Sequence, residues 1–217
     1  MRFQAVAFDM DGVLLNTEKV YRMSWLANGQ SIGIPEDEMN GICEKMAGGT
    51  KTHNGRVMKE KMGEDFDYLS FRQRTVDMVE KYLSEHGVEL KNGVLETLKT
   101  LKNMGVKLAV ATSTDKEMAI DRLTRAGIIE YFDAFVFGDE IEKGKPNPDI
   151  YLKACEKLGT SPDKTVGVED SINGVTASSA AGLYTVMVID LIKPNDYLKS
   201  TADKIYDIMP EMVELFS

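Results

Sequence analysis

Short apolar runs alternate with longer amphipathic stretches along most of the chain. Phe3-Gln4-Ala5-Val6-Ala7-Phe8 opens the series, and similar runs recur at residues 106–111, 134–137, 165–168 and 184–189. Runs of this length, rich in valine and aromatic residues and bounded by turn formers, predict buried strands. Between the later runs, apolar positions repeat with helical spacing over residues 94–104, 116–126, 148–158 and 172–181. A glycine follows each of these stretches, at Gly105, Gly127, Gly159 and Gly182, where a helix C-terminal cap belongs. Strands alternating with helices predict βαβ units and an α/β architecture with a parallel sheet.

One stretch breaks the rhythm. Residues 16–87 contain no strand pattern and predict amphipathic helices over 18–28, 36–46, 51–61 and 66–85. A connection that long, with helices of its own, is an inserted subdomain rather than a loop. The expected organisation is a core of residues 1–15 and 88–217 interrupted by a helical domain of residues 16–87. Its junctions flank the ends of the first two strands, so it is expected to act as a lid there.

The composition, 43% hydrophobic and 28% charged over 217 residues, is that of an ordinary globular protein. A net charge of −9 argues against a sequence-independent nucleic-acid binder. A small anionic ligand stays compatible with it, because a few lysines can focus potential in a cleft. Cys43 and Cys155 form no CxxC pair and are expected as buried thiols. No signal-type segment or membrane-length apolar run is visible, so a cytoplasmic monomer without membrane contact is expected.

The chemistry gathers just past the strands. Asp9 and Asp11 follow the first run, with Gly12 behind them to allow a sharp turn. Residues two apart in an extended segment share a side, so both carboxylates can face one site. Such a pair suggests a metal-assisted reaction or an acid-plus-nucleophile pair. Thr112, Ser113 and Thr114 follow the second run, Lys145 follows the third, and Glu169 and Asp170 follow the fourth. In open α/β sheets ligands bind beyond the carboxyl ends of the strands, where all of these residues fall. Oxygen-only donors favour a hard cation such as Mg²⁺, which bridges to phosphate, and the lysine adds a point charge for that phosphate. A calcium loop is excluded for Asp9-x-Asp11-Gly12, since that loop has its glycine at the sixth position and a distal glutamate.

The strings FDMDGVLLNTE, VATST, GKPNPDIY and GVEDSINGV resemble the four motifs of the haloacid dehalogenase-like phosphotransferases. They are most similar to the branch that holds β-phosphoglucomutase and the small sugar-phosphate phosphatases. The resemblance implies a doubly wound, Rossmann-like core with an all-helical cap, and a Mg²⁺-dependent reaction on a small phosphorylated metabolite. It implies Asp9 as the nucleophile that forms an aspartyl-phosphate, and Asp11 as the acid that protonates the leaving alcohol and then the base for water. Thr112 and the Ser113 amide would bind the phosphoryl group, and Lys145 would neutralise charge on it and on Asp9. Asp9, Asp11 (through its backbone carbonyl), Glu169 and Asp170 would hold the Mg²⁺.

Two departures separate phosphatase from mutase. The family's mutases carry a histidine a few residues after the first motif, and Tyr21 takes the equivalent place here. Their cap arginine falls near Lys51 in Gly48-Gly49-Thr50-Lys51, and lysine does not reproduce bidentate phosphate recognition. A phosphatase for a small phosphorylated sugar or polyol is therefore expected, with a phosphomutase as the alternative and a non-catalytic receiver-like phospho-acceptor as the third reading. Asn16 replaces the family's usual aspartate and is expected to alter the hinge. Substrate contacts are expected from the cap, at Lys51 and Arg74, with His53, Asn54 and Arg72 as further candidates.

Overall fold

The computed structural model describes residues 2–46 and 51–216. It separates into two compact units, one made of Met1–Asn16 with Glu89–Ser217 and the other of Thr17–Val88. In chain order, β1 (Ala5–Phe8) leads into α1 (Glu18–Ser31), α2 (Glu36–Met46), α3 (Lys51–Met62) and α4 (Tyr68–His86), which build the second unit. The chain then returns to the first unit with α5 (Val94–Asn103), β2 (Lys107–Ala111), α6 (Lys116–Arg125), β3 (Ala134–Val136) and α7 (Asp149–Leu158). The remaining elements are β4 (Thr165–Glu169), α8 (Ile172–Ala180), β5 (Tyr184–Val188), α9 (Asp196–Thr201) and β6 (Lys204–Tyr206).

The strands form one sheet in the order β3-β2-β1-β4-β5-β6, and every neighbouring pair is parallel. This order is the doubly wound one. From β1 the chain steps outward to β3, then crosses back to β4 and steps outward on the other side. Right-handed crossovers place α5 and α6 on one face and α7 and α8 on the other. The small residues of β1 and β2 suit that second face. Ala5, Ala7, Ala109 and Ala111 share a buried cluster with Ile150, Tyr151, Ala154 and Leu158 of α7 and Ala177 of α8. Alternation sends Val6 and Phe8 to the opposite side, where Phe8 meets Phe132 edge-on at 6.3 Å.

All four residues of β1 are buried, because β1 lies at the centre of the sheet. The glycines placed after the helices take left-handed φ values, from +63° at Gly159 to +79° at Gly182. Beyond the fifth strand the sequence pattern predicted nothing, yet α9, β6 and a 3-10 segment at Met209–Phe216 complete the unit. The reason is length. β6 has three residues at a sheet edge, too few for alternation to register.

The helical unit has its own core of Met39, Ile42, Cys43, Met46, Met58, Tyr68 and Phe71, with Trp25 and Phe66 packed against it. Buried Asn28 ties α1 to α4 by donating to the Phe71 carbonyl at 2.7 Å and to Thr75 Oγ1 at 2.8 Å. The two chain passages between the units are clasped inside the first one. Asn16 N donates to the Glu89 carbonyl at 2.8 Å, and its side-chain amide reaches Glu89 Oε2 at the same distance. Both cysteines are buried, unbridged thiols. Among the described residues no helix is long and apolar enough to cross a membrane.

Candidate active site

The sheet order reverses at β1, between β2 and β4, and the carboxyl ends of the strands at such a point form the binding crevice of this architecture. Asp9 leaves β1 there. Its amide still donates to the Val168 carbonyl at 2.9 Å, so the ladder holds the backbone of this residue in place. The chain then turns tightly, with the amides of Leu14 and Leu15 both donating to the Met10 carbonyl. Gly12 has φ +84°, and a Cβ on it would lie 2.2 Å from Asp170 Oδ2. Both the backbone conformation and the close approach of the β4 acid require glycine at this position.

Lys145 joins the ends of three strands. Its ammonium donates to Asp9 Oδ1 at 2.6 Å after β1, to the Ala111 carbonyl at 3.0 Å on β2, and to Glu169 Oε1 at 2.5 Å on β4. An ammonium has three protons, and all three are used. Burial alone would depress the Lys145 ammonium, but the charges of Asp9 and Glu169 more than reverse that and hold it protonated. Burial pushes the Asp9 carboxyl up to about 7; Lys145 pulls against the shift, and the negative charges of Glu169 and Asp11 add to it.

Glu169 is fully buried and anchored. Its Oε1 also accepts from Tyr151 Oη at 2.7 Å, and burial and the adjacent Glu169 charge hold that phenol well above its usual range as a donor. Gly174 makes the room. A Cβ there would fall 1.9 Å from the Glu169 carboxyl carbon, with α8 passing directly over the acid. Gly174→Ala is therefore expected to destabilise the fold by about 1–3 kcal/mol through overpacking and to weaken activity by displacing Glu169 from Lys145. Thermal melting together with turnover of a phosphate ester would check this; a variant with wild-type values in both would show that Glu169 tolerates displacement.

At the end of β2 the Thr112 hydroxyl accepts from the Thr114 amide at 3.1 Å, and it still has its own proton to give. Ser113 is exposed, and its carbonyl lies against Gly138, where a Cβ would come within 2.2 Å. Asp11 is turned differently from the other acids. Its Oδ2 accepts from Thr114 Oγ1 at 2.8 Å, and its Oδ1 pairs with Arg122 Nη1 of α6 at 2.9 Å.

Asp9, Glu169 and Asp170 each bring a carboxylate oxygen within 4.8 Å of the other two, so the acids expected from sequence as a cation site converge. The Asp11 side chain is not part of this group. Three buried carboxylates, two of them bound to the one lysine, form an acid-rich, oxygen-only donor set, which fits a hard divalent cation. A second observation agrees with that fit. Asp190, just past β5, pairs through Oδ1 with Lys91, while its Oδ2 would lie 3.3 Å from a Cβ on Gly12 and is buried with no hydrogen-bond partner among the described residues. Buried acceptors are normally satisfied by protein or by ordered water, and the hydration shell of a cation would satisfy this one.

The remaining candidates lie in the helical unit. Lys51 opens α3 and is exposed, while Arg74, on α4, is exposed with its guanidinium over the Phe71 ring at 5.8 Å. His53 Nε2 lies 3.0 Å from the Lys45 carbonyl, and Arg72 is half-buried. Gly48, Gly49 and Thr50, which precede Lys51, lie outside the described residues. Sequence reasoning missed Tyr151, Arg122, Asp190 and Gly174. Tyr151 closes the GKPNPDIY string, and Asp190 directly follows a predicted strand, so both were within reach of the rule that located the other acids. Gly174 lies within the GVEDSINGV string, but its role, like the whole of Arg122, shows only in the packing.

A sequence profile described as haloacid dehalogenase-like hydrolase matches residues 6–188. The chain is 37% identical over 180 residues to the phosphorylated carbohydrates phosphatase of Thermotoga maritima, spanning 83% of this chain and 82% of that one. It is 31% identical over 194 residues to the β-phosphoglucomutase of Bacillus subtilis, with 85% and 83% covered. The crystal structure of CbbY from Rhodobacter sphaeroides in complex with phosphate superposes with a TM-score of 0.78 at 26% identity, over 97% of this chain and 96% of that one. The chain belongs to the haloacid dehalogenase-like hydrolases, as a phosphohydrolase of the β-phosphoglucomutase and sugar-phosphate phosphatase branch with an inserted helical cap.

Proposed function

We propose that the protein is a Mg²⁺-dependent phosphatase that hydrolyses a small phosphorylated sugar or polyol through an aspartyl-phosphate on Asp9. The observation that carries this reading is the hold of Lys145 on one Asp9 oxygen, within a cluster of acids at the switch point of the sheet. With Oδ1 engaged, Oδ2 is the atom that attacks phosphorus in line. The P–O bond to the sugar breaks as the Asp9–phosphorus bond forms. Thr112 donates its hydroxyl proton to a phosphoryl oxygen, the Ser113 amide donates to another, and Lys145 offsets the charge shared by phosphoryl group and nucleophile. Asp11 gives its proton to the departing alcohol and afterwards takes one from the water that hydrolyses the acyl phosphate. Asp9, Asp170 and the Asp11 backbone carbonyl, with Glu169 as a third acid, would hold the Mg²⁺. Bound there, the cation supplies Lewis-acid neutralisation of the phosphoryl oxygens.

The Thermotoga maritima relative is named for phosphorylated carbohydrates, which supports the substrate class. Substrate selection is assigned to the cap, with Lys51 and Arg74 as the proposed contacts. The mutase reading is supported by the Bacillus subtilis relative, but Tyr21 and Lys51 replace the histidine and arginine expected of a mutase. A panel of sugar phosphates assayed for phosphate release, beside bisphosphate-dependent isomerisation of glucose phosphate, separates the two. Phosphate release that stops in chelator and returns with Mg²⁺ is the expected result. Isomerisation outrunning hydrolysis would overturn the phosphatase in favour of the mutase, and release unaffected by chelation would overturn the metal requirement.

A further inference from the structure

Arg122 is an arginine with no exposed side-chain surface, in the middle of a helix that otherwise buries alanine and leucine. A buried guanidinium loses its hydration and is retained only against a well-placed partner. Its ion-pair partner is Asp11, the residue read above as the proton donor and acceptor. The two oxygens of that carboxylate are held from different places, Oδ1 by Arg122 on α6 and Oδ2 by Thr114 in the turn after β2. A carboxyl fixed at both oxygens keeps one orientation about its terminal bond, and proton transfer depends on that orientation.

We infer that Arg122, together with Thr114, is a positioning residue for proton transfer to the leaving group, and that it makes the enzyme competent for alkyl phosphates in particular. The inference rests on the assignment of Asp11 as the acid. In the first step the Asp9 oxygen bonds to phosphorus while the ester P–O bond breaks. When the leaving group is a sugar alcohol, its oxygen must receive the proton of the Asp11 carboxyl; the Arg122 ion pair and the Thr114 hydrogen bond are those of the carboxylate that this step leaves. When it is dinitrophenolate, the oxygen departs as a stable anion and no proton moves. A residue that acts by orienting Asp11 therefore affects the first substrate and spares the second, whereas a residue that merely fastens α6 to the fold affects both alike.

The test measures kcat/KM, which reports the phosphoryl-transfer step, for wild type, Arg122→Gln, Arg122→Lys and Thr114→Val. Each is assayed on a sugar phosphate and on dinitrophenyl phosphate. Arg122→Gln is expected to lose about 100-fold on the sugar phosphate and less than about fivefold on the aryl ester, within the range a general acid contributes. Thr114→Val is expected to lose about tenfold with the same selectivity, as befits one hydrogen bond to a charged group. Arg122→Lys, which keeps the charge without the planar fork, should recover part of the loss. If Arg122→Gln does not fold, the ratio from Thr114→Val decides. Equal losses on both substrates, or none, would overturn the inference and leave Arg122 a structural ion pair. A wild-type protein that hydrolyses neither ester, or an Asp9→Asn variant that retains turnover, would instead overturn the phosphatase reading itself.

Discussion

Replacing Asp9 with asparagine is expected to lower turnover of any phosphate ester by about 10⁴-fold or more, because the amide cannot carry the phosphoryl group. The same change is expected to make the metal-free protein more stable at neutral pH. Burial raises the Asp9 carboxyl from 3.8 to about 7 in the folded protein. Between about pH 4 and pH 7 the unfolded chain has released this proton and the folded chain still holds it, so stability falls as pH rises through that window. Asparagine does not titrate, and the variant should lack this slope. Melting scans at pH 5 and pH 8 in chelator would show it, with a shift of about 2–4 °C for each kcal/mol recovered. A variant that kept the wild-type pH slope would remove Asp9 as its source. Saturating Mg²⁺ should narrow the gap between variant and wild type, since the cation offsets the same charge in the wild type alone.

Lys145→Met should impair both stability and chemistry. The substitution keeps the length of the side chain but removes three hydrogen bonds and the cation that Asp9 and Glu169 share. Leaving buried carboxylates without their counter-charge costs about 3–5 kcal/mol. For a chain of this size the melting temperature should drop by roughly 10 °C. Turnover should fall by about 10²–10³-fold, the usual loss when one charge-stabilising donor is removed. The companion double variant, Lys145→Met with Glu169→Gln, separates the two effects. Removing the orphaned Glu169 charge should return part of the stability and none of the activity. Full additivity of the two changes would mean that the Lys145–Glu169 contact carries no coupling energy.

Much of this arrangement is legible without coordinates, for a physical reason. A central parallel strand is buried on both faces, so it must be written in apolar residues, and the polarity that follows marks where the strand stops. Asp9, Thr112 and Asp170 stand out against valine, alanine and phenylalanine for that reason. Lys145 stands out less sharply, because it lies several residues past β3 in a loop whose path the pattern does not encode. Arg122 was illegible. Its place in the sequence of α6 is that of a helix-surface arginine, like Arg125 one turn on, and only the three-dimensional position of Asp11 distinguishes the two. The edge strand β6 was missed because its hydrogen bonds to β5, rather than any local preference, make it a strand.

The pairing register has a consequence for biosynthesis. Phe8 lies between Val110 on one side and Val168 on the other, so the segment made first acquires its lateral neighbours only after most of the polypeptide has been translated. The four helices of the inserted unit draw their contacts from nearby residues and can order early, whereas the central strand must await partners from distant parts of the chain. A nascent chain stalled before residue 165 holds Asp9, the proposed nucleophile, without the acids and the strand that complete the site, and should show no esterase-type background on phosphate monoesters. Release of the last quarter of the protein is then the event that switches the enzyme on.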